Sequence, residues 1–396
     1  MIVRKTTPDE ARRINELFAI CFEFPYDNCP IEDPEHDDAI HWAAFTEEGE
    51  MMSNFTIPTY QIQFDGHSCK MAGIGGVATL PQYRRQGGIR ACFAEALPDM
   101  YANGYDFSYL YPFSTRFYRQ FGYECCVQKY AWEVNLSLLT PPKDPGTFCL
   151  AEKNRPMTEA IRAVDALWEQ HFNMMVQHKE EDYKWILEAD PAVKQEFTYV
   201  WFDARKTPKA YTTFKALWEN GKRNIVCSRF FFVDREGFGG LMQLFKSLAA
   251  DHTLAKFHTP ALPSLQYLMS EWSLGAVDWK VLANGGMVRV VNAAAVLKKA
   301  KYRGSSRIIL ELQDPQIRQN NGRFAVTFES GRATEVASTQ EAADITLTIP
   351  AFSALISGVW DWEEARHTLP GLTVNNENAP LDGIFFRKRL MITDFF

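Results

Sequence analysis

The sequence predicts a globular α+β chain of two or three domains. Its 396 residues are more than one hydrophobic core usually organises, since domains of roughly 150 residues are typical. The composition is 46% apolar and 23% charged, so enough apolar surface is available to offset the ordering entropy of folding. Strand-like and helix-like runs are mixed along the whole chain, which favours the α+β class.

Composition and charge disfavour several function classes. The 42 basic and 49 acidic side chains give a net charge of −7, which argues against nucleic acid or a membrane surface as the main partner. No apolar run approaches the ~20 residues of a membrane-spanning helix. The N-terminus lacks the apolar stretch of a signal peptide, so we expect a cytoplasmic protein. The cysteines form no CxxC pattern and the histidines no HExxH pattern, so no metal site is expected.

The first 80 residues predict a strand, a helix and then a strand-rich region. Thr7 caps the helix, because Glu10 follows it at the spacing of a capping box. Residues 27–50 are predicted to form a loop with nine acidic and no basic side chains. The pair Asp65-Gly66 is a hairpin signal. Three strands are predicted in this region, at 51–57, 59–64 and 69–79.

Further along the chain, strands and helices again alternate. A loop rich in Pro, Gly and Arg precedes a helix after residue 90, and a Pro-rich linker begins near residue 138. Between them the sequence predicts a strand at 107–111, a helix at 115–121 and a strand at 125–136. The middle region predicts a helix at 155–189, a helix after Gly240, and strands at 197–203, 210–216, 225–233 and 255–259. The last region predicts a strand and helix at 286–299, a helix at 351–357, and strands at 307–312, 323–331 and 343–350.

The most informative segment is the strand, loop and helix at 73–97. Gly87 and Gly88 let backbone N–H groups converge where a helix begins, and the positive end of the helix dipole favours an anion there. Three arginines add positive charge: Arg84, Arg85 and Arg90. Diphosphate is the natural ligand of such a cradle. The segment has neither the GK[ST] of a P-loop nor the glycine spacing of a Rossmann fingerprint.

Within this segment, V-x-x-x-P-x-x-R-R-x-G-x-x-R resembles the acetyl-CoA pyrophosphate loop of the GNAT N-acetyltransferases. Ile89 stands where that family usually has a second Gly or Ala. In this respect the loop is similar to that of the Eis-type (enhanced intracellular survival) subfamily. Two further segments resemble the same subfamily, FYRQFGYE at 117–124 and GMVRVVNAAAVL at 286–297.

The resemblance implies tandem GNAT folds followed by a sterol-carrier-like domain. The boundaries it implies are 1–136 for the first GNAT domain, 137–285 for a second GNAT-like domain, and 286–396 for the third. In this subfamily the third domain looks like a scaffold that delivers the C-terminus, so lipid binding is not the expectation. Members assemble as homo-oligomers, commonly hexamers, which we expect here as well.

The resemblance also implies which residues bind acetyl-CoA. The backbone of Val77, Ala78 and Thr79 would pair with the pantetheine arm on a splayed strand and polarise the thioester carbonyl. The loop residues would hold the pyrophosphate: Arg84, Arg85, Gln86, Gly87, Gly88, Ile89 and Arg90. Phe113 and Ser114 match positions that also touch the cofactor.

Two groups are implied as the proton-transfer pair. Tyr118 matches the general acid of the family, and a phenol with an ordinary pKa of about 10 can protonate a departing thiolate. The implied base is the terminal carboxylate of Phe396, acting directly or through a water. Its ordinary pKa of about 3.5 would have to be raised by burial. Without the resemblance, Tyr118 would be read as one of many core aromatics near it: Tyr105, Tyr109, Tyr111, Phe113, Phe117, Phe121 and Tyr123.

The function implied is acetyl transfer from acetyl-CoA to a primary amine. The substrate would be a small polycationic molecule, aminoglycoside-like or a polyamine, or a lysine side chain. Acidic residues of 27–50 either attract such a cation or form a solvated loop. The alternative function is that of a catalytically decayed acyl-CoA or lipid-binding protein, which would bind without turnover.

Overall fold

The computed structural model describes residues 1–29, 31, 37–260, 277–282 and 285–395. The chain divides into two compact units. Unit 1 contains Met1–Val127, Asn284–Lys388 and Ile392–Phe396, and unit 2 contains Gln128–Ala283 and Arg389–Met391. The predicted α+β class is confirmed, because both units combine sheets with helices.

The strands and helices of the described residues are numbered in chain order. The strands are β1 (Ile2–Lys5), β2 (Ile40–Phe45), β3 (Met51–Ile57), β4 (Thr59–Phe64), β5 (His67–Thr79), β6 (Phe107–Leu110), β7 (Glu124–Cys125), β8 (Lys129–Asn135), β9 (Gly146–Leu150), β10 (Glu196–Asp203), β11 (Pro208–Glu219), β12 (Lys222–Phe232), β13 (Leu254–Pro260), β14 (Val277–Leu282), β15 (Met287–Val290), β16 (Ser306–Gln313), β17 (Gly322–Glu329), β18 (Arg332–Thr339), β19 (Ile345–Thr348) and β20 (Leu372–Val374). The helices are α1 (Ala11–Phe22), α2 (Gly88–Ala102), α3 (Thr115–Arg119), α4 (Thr158–His171), α5 (Lys184–Leu187), α6 (Pro191–Lys194), α7 (Arg235–Ser247), α8 (Ala293–Lys299), α9 (Ile349–Ser357) and α10 (Trp362–Thr368).

Unit 1 is built on two sheets. The larger has the order β1-β2-β3-β5-β6-β15-β7, with β4 paired to β5 outside this path. Its strand pairs are antiparallel except for β5 and β6, which are parallel. In the sequence, α2 lies between these two strands. A parallel pair needs such a crossover connection. The smaller sheet has the order β18-β17-β16-β19-β20.

The predicted start of α1 is confirmed. The backbone N–H of Thr7 donates to the Glu10 carboxylate over 3.0 Å, which satisfies one of the free donors at a helix start. The helix then buries one face at helical spacing: Ala11, Ile14, Leu17 and Phe18. The predicted hairpin at Asp65-Gly66 is also confirmed, since both residues have positive φ (51° and 89°) as a type I′ turn requires.

Unit 2 is built on one sheet with the order β14-β8-β13-β12-β11-β10-β9. β12, α7 and β13 form a second parallel strand–helix–strand crossover. The core of this unit is aromatic: Phe230 and Phe257 stack at 4.0 Å, and Trp201 and Trp132 are 1% exposed. The order of elements along unit 2 therefore resembles that of the larger sheet in unit 1.

Three predicted elements are wrong. The strand predicted at 125–136 is divided into β7, in the larger sheet of unit 1, and β8, in the sheet of unit 2. Residues 27–50 include β2, whose apolar sequence IHWAAF lies between β1 and β3. Because acidic residues precede and follow this strand in the sequence, the whole segment is predicted as a loop. The helix predicted at 155–189 ends at His171, because the following residues are buried consecutively rather than at helical spacing. These buried residues are Phe172, Asn173, Met174, Met175 and Val176.

The domain boundaries at 136 and 285 stay a prediction. Near each boundary there is one strand that the boundary assigns to one domain but that pairs with strands of the neighbouring domain. β8 pairs with β13 and β14 in the sheet of unit 2. β15 pairs with β6 and β7 in the larger sheet of unit 1, where all four of its side chains are buried.

Candidate active site

The site begins where β5 and β6 part. Their parallel pairing covers Met71–Ile74 and Phe107–Leu110 and ends there. Beyond it, β5 continues to Thr79 and pairs with β3 alone among the described strands. A register shift in β3 and a positive φ of 56° at Gly76 mark a bulge at this point. The backbone of Val77, Ala78 and Thr79 thus keeps one edge that no described strand covers.

Gly76 is required by a close approach. A Cβ at this position would lie 2.5 Å from the ring of Phe18, which projects from α1. The end of β5 is tied to β3 by the hydroxyl groups of Ser53 and Thr79, which lie 2.9 Å apart. The packing of Phe18 against Gly76 and the hydrogen bond between Ser53 and Thr79 therefore fix the position of the uncovered edge of β5.

The predicted anion cradle follows β5 directly. Arg85 and Gly87 both have positive φ (66° and 86°), and the chain enters α2 at Gly88. The first helical hydrogen bond runs from the N–H of Ala91 to the carbonyl of Gly87 over 2.9 Å. The N–H groups of the preceding residues have no partner within the helix, as at any helix start. A Cβ on Gly87 would meet nothing within 4 Å, so open space lies above these donors.

Gly88 and Ile89 have a different role in the same loop. A Cβ on Gly88 would lie 2.4 Å from the Ser53 hydroxyl, so glycine lets α2 pack closely on β3. Ile89 is 8% exposed and belongs to the hydrophobic core beneath the sheet. An apolar residue at this position therefore anchors the first turn of α2 in the core of unit 1.

The charged residues of the loop point outward. Arg84, Arg85, Gln86 and Arg90 are all exposed. Arg90 donates from Nη2 to the side-chain oxygen of Gln120 over 3.2 Å, which connects the first turn of α2 to the end of α3. The loop thus presents positive charge and free backbone donors together, the combination that diphosphate binds.

Tyr118 lies in α3, beside α2. Ser114 caps α3 by accepting the N–H of Phe117 over 3.3 Å. Tyr118 is 2% exposed, and its ring packs edge-on against Phe93 of α2 (6.4 Å) and Phe113 (5.3 Å). Burial raises the pKa of the Tyr118 phenol above its usual value, with a smaller contribution from Tyr123. The hydroxyl therefore keeps its proton through the neutral pH range.

Phe113 and the C-terminal residues lie at the end of β6. Phe113 is 71% exposed although its ring contacts Tyr118, so an apolar surface borders the tyrosine. Tyr111 donates its hydroxyl to the backbone carbonyl of Asp394 over 2.9 Å, and its ring stacks on Phe395 at 4.4 Å. Phe396 lies outside the described residues. Tyr111 was not predicted as a site residue, because its contact partner is 283 positions away in the sequence.

The acidic stretch is only partly described. Asp37 lies 2.7 Å from His41 Nε2, so its carboxylate is engaged locally. Asp27 and Asp38 are exposed, while Glu32 and Asp33 lie outside the described residues. Across the described ranges, no three His, Cys, Asp or Glu side chains are grouped to hold a metal ion. No helix in the described part of the chain is long and apolar enough to cross a membrane.

Comparison with known domain families gives two matches. Residues 2–126 match the acetyltransferase (GNAT) domain, and residues 293–385 match the sterol carrier protein domain. No curated protein matches the sequence. The N-terminal part of the chain is therefore an acetyltransferase (GNAT) domain, and the C-terminal part is a sterol carrier protein domain.

Solved structures share the fold over the whole chain. A probable N-acyltransferase of unknown function from Enterococcus faecalis V583 is 20% identical with a TM-score of 0.85, and 100% of this chain covers 99% of that one. Eis1 from Mycobacterium abscessus is 18% identical, with a TM-score of 0.80 and full coverage of both chains. A GCN5-related N-acetyltransferase from Anabaena variabilis is 17% identical, with a TM-score of 0.84 and full coverage of both. The chain therefore has the Eis-like GNAT architecture, as the sequence motifs predict.

Proposed function

We propose that the protein transfers the acetyl group of acetyl-CoA to a primary amine of a small polycationic molecule, an aminoglycoside or polyamine, or of a lysine side chain. The GNAT family uses acetyl-CoA, and one observation carries the proposal for this chain. The uncovered end of β5, the open N-terminus of α2 and Tyr118, whose ring packs on Phe93 of α2, all belong to unit 1. Their joint presence supports binding and chemistry at a single site.

The chemistry of the site residues suits acetyl-CoA. Gly87 leaves open space above the free N–H groups of α2, where Arg84 and Arg85 can add charge to the binding of a diphosphate. The uncovered backbone of Val77, Ala78 and Thr79 suits an amide-bearing arm that binds as an added strand would. Phe113 offers an exposed apolar surface beside Tyr118.

When bound, acetyl-CoA supplies an acyl group activated as a thioester. Backbone N–H groups at the end of β5 polarise the carbonyl, so that a neutral amine forms the new N–C bond while the C–S bond breaks. Tyr118 gives its proton to the departing sulfur, and the carboxylate of Phe396 takes the proton that the amine loses, directly or through a water. The raised pKa of Tyr118 keeps this proton available at neutral pH.

The proposal is tested with purified protein, acetyl-CoA, and a panel of polyamines, aminoglycosides and lysyl peptides. Release of the CoA thiol with at least one amine class is the expected result. Failure to bind acetyl-CoA and to release CoA with any amine would refute it. Binding without turnover for every amine would instead support the catalytically decayed alternative. The homo-oligomeric state, commonly hexameric in this subfamily, stays a prediction that sedimentation velocity can check.

A further inference from the structure

We propose that a cavity in the C-terminal part of unit 1 binds a free amino acid with an aromatic or large apolar side chain. The cavity lies among the turn that follows α8, the start of α10 and the segment after Gly383. Its volume is about 330 Å³, which is at the small end of ligand pockets. The described residues that line it are not those proposed for acetyl transfer, so this inference does not depend on the proposed function.

Three aromatic side chains line the cavity. Trp362 and Phe385 are buried, and their ring centroids are 6.5 Å apart. The backbone N–H of Trp362 donates to the carbonyl of Phe385 over 3.1 Å, which holds the two residues together. The half-buried ring of Phe386 is the third. Three rings around so small a volume favour a ligand with an aromatic or large apolar group.

The backbone around the cavity is also held by hydrogen bonds and leaves room for a ligand. The N–H of Arg303 donates to the carbonyl of Ile384 over 3.2 Å, which joins the turn after α8 to the segment that carries Phe385 and Phe386. A Cβ on Gly383 would meet nothing within 4 Å. The backbone of Gly383 therefore borders open space.

Four charged side chains line the cavity, and two of them are paired with each other. Arg387 donates from Nε to the Asp361 carboxylate over 3.2 Å and from Nη1 to the carbonyl of Val359 over 3.0 Å, and its Nη2 donates to Glu364. The carboxylate of Asp361 also accepts the N–H of Glu364 over 3.0 Å. The charges of Arg387 and Asp361 are therefore engaged by the protein itself.

The other two charged side chains, Arg303 and Glu363, have no ion-pair partner among the described residues and are not paired with each other. Both are exposed. The guanidinium carbon of Arg303 lies 4.7 Å from the ring centroid of Phe386, and this stacking holds the cation beside the aromatic lining. The cavity thus presents one unpaired cation and one unpaired anion next to three aromatic rings.

A ligand that satisfies both charges carries a carboxylate and an ammonium group. A guanidinium binds a carboxylate through two parallel N–H···O bonds, so the carboxylate belongs on Arg303. An ammonium group donates to the carboxylate of Glu363. A fatty acid would leave Glu363 unpaired, and a polyamine would meet the positive charge of Arg303. The free amino acid is the small molecule that has both groups and an apolar side chain.

The first test compares ligands that differ by one charged group. Calorimetric titration of the full chain, without acetyl-CoA, measures the dissociation constants of L-phenylalanine, of 3-phenylpropionate, which lacks the ammonium group, and of phenethylamine, which lacks the carboxylate. L-Phenylalanine should bind about tenfold more tightly than either analogue, because each analogue loses one charge-assisted contact. No binding of L-phenylalanine at millimolar concentration, or equal binding of either analogue, would overturn the inference.

The second test assigns each charge to its residue. Arg303→Gln should weaken L-phenylalanine about tenfold but leave phenethylamine unchanged, and Glu363→Gln should weaken L-phenylalanine but leave 3-phenylpropionate unchanged. Arg318→Gln and Glu329→Gln are the matched controls, since both residues are exposed, belong to the same domain and do not line the cavity. Equal losses in variants and controls would overturn the inference. Because the titrations use no acetyl-CoA, that result would leave the proposed acetyl transfer standing, and absence of turnover would leave this site standing.

Discussion

Tyr118 shows how burial shapes the chemistry of one side chain. Its ring lies among other aromatic rings, and its pKa is raised mainly because the phenolate would be poorly solvated there. A raised pKa makes the phenol a weaker acid in general, but it also keeps the hydroxyl protonated at neutral pH, as the proposed role of general acid requires. The neighbouring Tyr123, 6.4 Å away, shares the burial but bonds its hydroxyl to Ser108 at 2.7 Å.

We therefore expect Tyr118→Phe to reduce kcat by about 10²-fold to 10⁴-fold, the usual size of general acid catalysis. The dissociation constant of acetyl-CoA should stay nearly constant, since the hydroxyl is not part of the cradle. Steady-state kinetics together with calorimetric titration would measure both. Tyr123→Phe is the matched control and should keep kcat. A Tyr118→Phe enzyme with normal turnover would show that the proton comes from elsewhere.

The buried carboxyl group of Asp165 in unit 2 should make the free energy of unfolding depend on pH. It is 6% exposed, accepts the Tyr211 hydroxyl over 2.6 Å, and burial raises its pKa to about 6. Between about pH 4 and pH 6 the unfolded chain loses this proton first, so the folded state binds more protons and its stability falls as pH rises. The loss levels off above pH 6 and is on the order of 2 to 3 kcal/mol.

Urea denaturation of wild type and Asp165→Asn from pH 4 to pH 7 would check this dependence. Wild type should lose stability across the interval, and the asparagine variant should vary less because its side chain does not titrate. Parallel curves for the two proteins would assign the pH dependence to other groups.

At the scale of single elements, the local sequence predicts those strands and loops that local interactions determine. The strands at 51–57 and 59–64 have the predicted bounds, and the loop before α2 is predicted because its glycines and arginines are contiguous. The sequence prediction is wrong where contacts with distant parts of the chain determine the structure of a segment. β2 is a strand because it lies between β1 and β3, and the hydrogen bond of Tyr111 to Asp394 joins residues that are 283 positions apart.

The cradle leads to a prediction about one part of the cofactor. Arg85 is exposed beside the open N-terminus of α2, where the diphosphate is proposed to bind. Arg85→Ala should therefore raise KM for acetyl-CoA several-fold, because a charge-assisted contact is lost. S-acetylpantetheine lacks the diphosphate, so its kcat/KM should be the same for both enzymes. An equal loss with both acetyl donors would place Arg85 elsewhere in the mechanism.

Unit 1 as a whole is assembled from distant parts of the chain. Arg289 of β15 donates from Nη2 to both carboxylate oxygens of Asp314 at 2.8 Å, and both side chains are fully buried. Gly122 has no Cβ where that guanidinium passes, since one would lie 1.7 Å from Nη1. Such long-range pairing could not be predicted from the sequence, where β15 was assigned to the third domain. The first GNAT sheet is therefore completed by a strand from beyond residue 285.

This arrangement predicts that a chain ending at Val127 will not fold by itself. Without β15, strand β6 loses one of its two neighbours and β7 loses the strand with which it pairs, and exposed edges of this kind favour aggregation. Urea titration followed by circular dichroism should show no cooperative unfolding of residues 1–127. Co-expression with residues 284–396 is the control that should recover a soluble complex. Cooperative unfolding of the short chain would contradict the prediction.

The two strand–helix–strand crossovers differ in the residue that precedes their helices, Gly87 in unit 1 and Asp234 in unit 2. The helix of unit 2 begins at Asp234, whose carboxylate accepts the N–H of Gly237 over 2.9 Å and pairs with Lys209 at 2.7 Å. A fixed negative charge thus already sits where a phosphate group would have to go, whereas the corresponding position in unit 1 is a bare glycine. If acetyl-CoA binds as proposed, we therefore expect one molecule per chain, at the crossover of unit 1, although the chain has two similar crossovers.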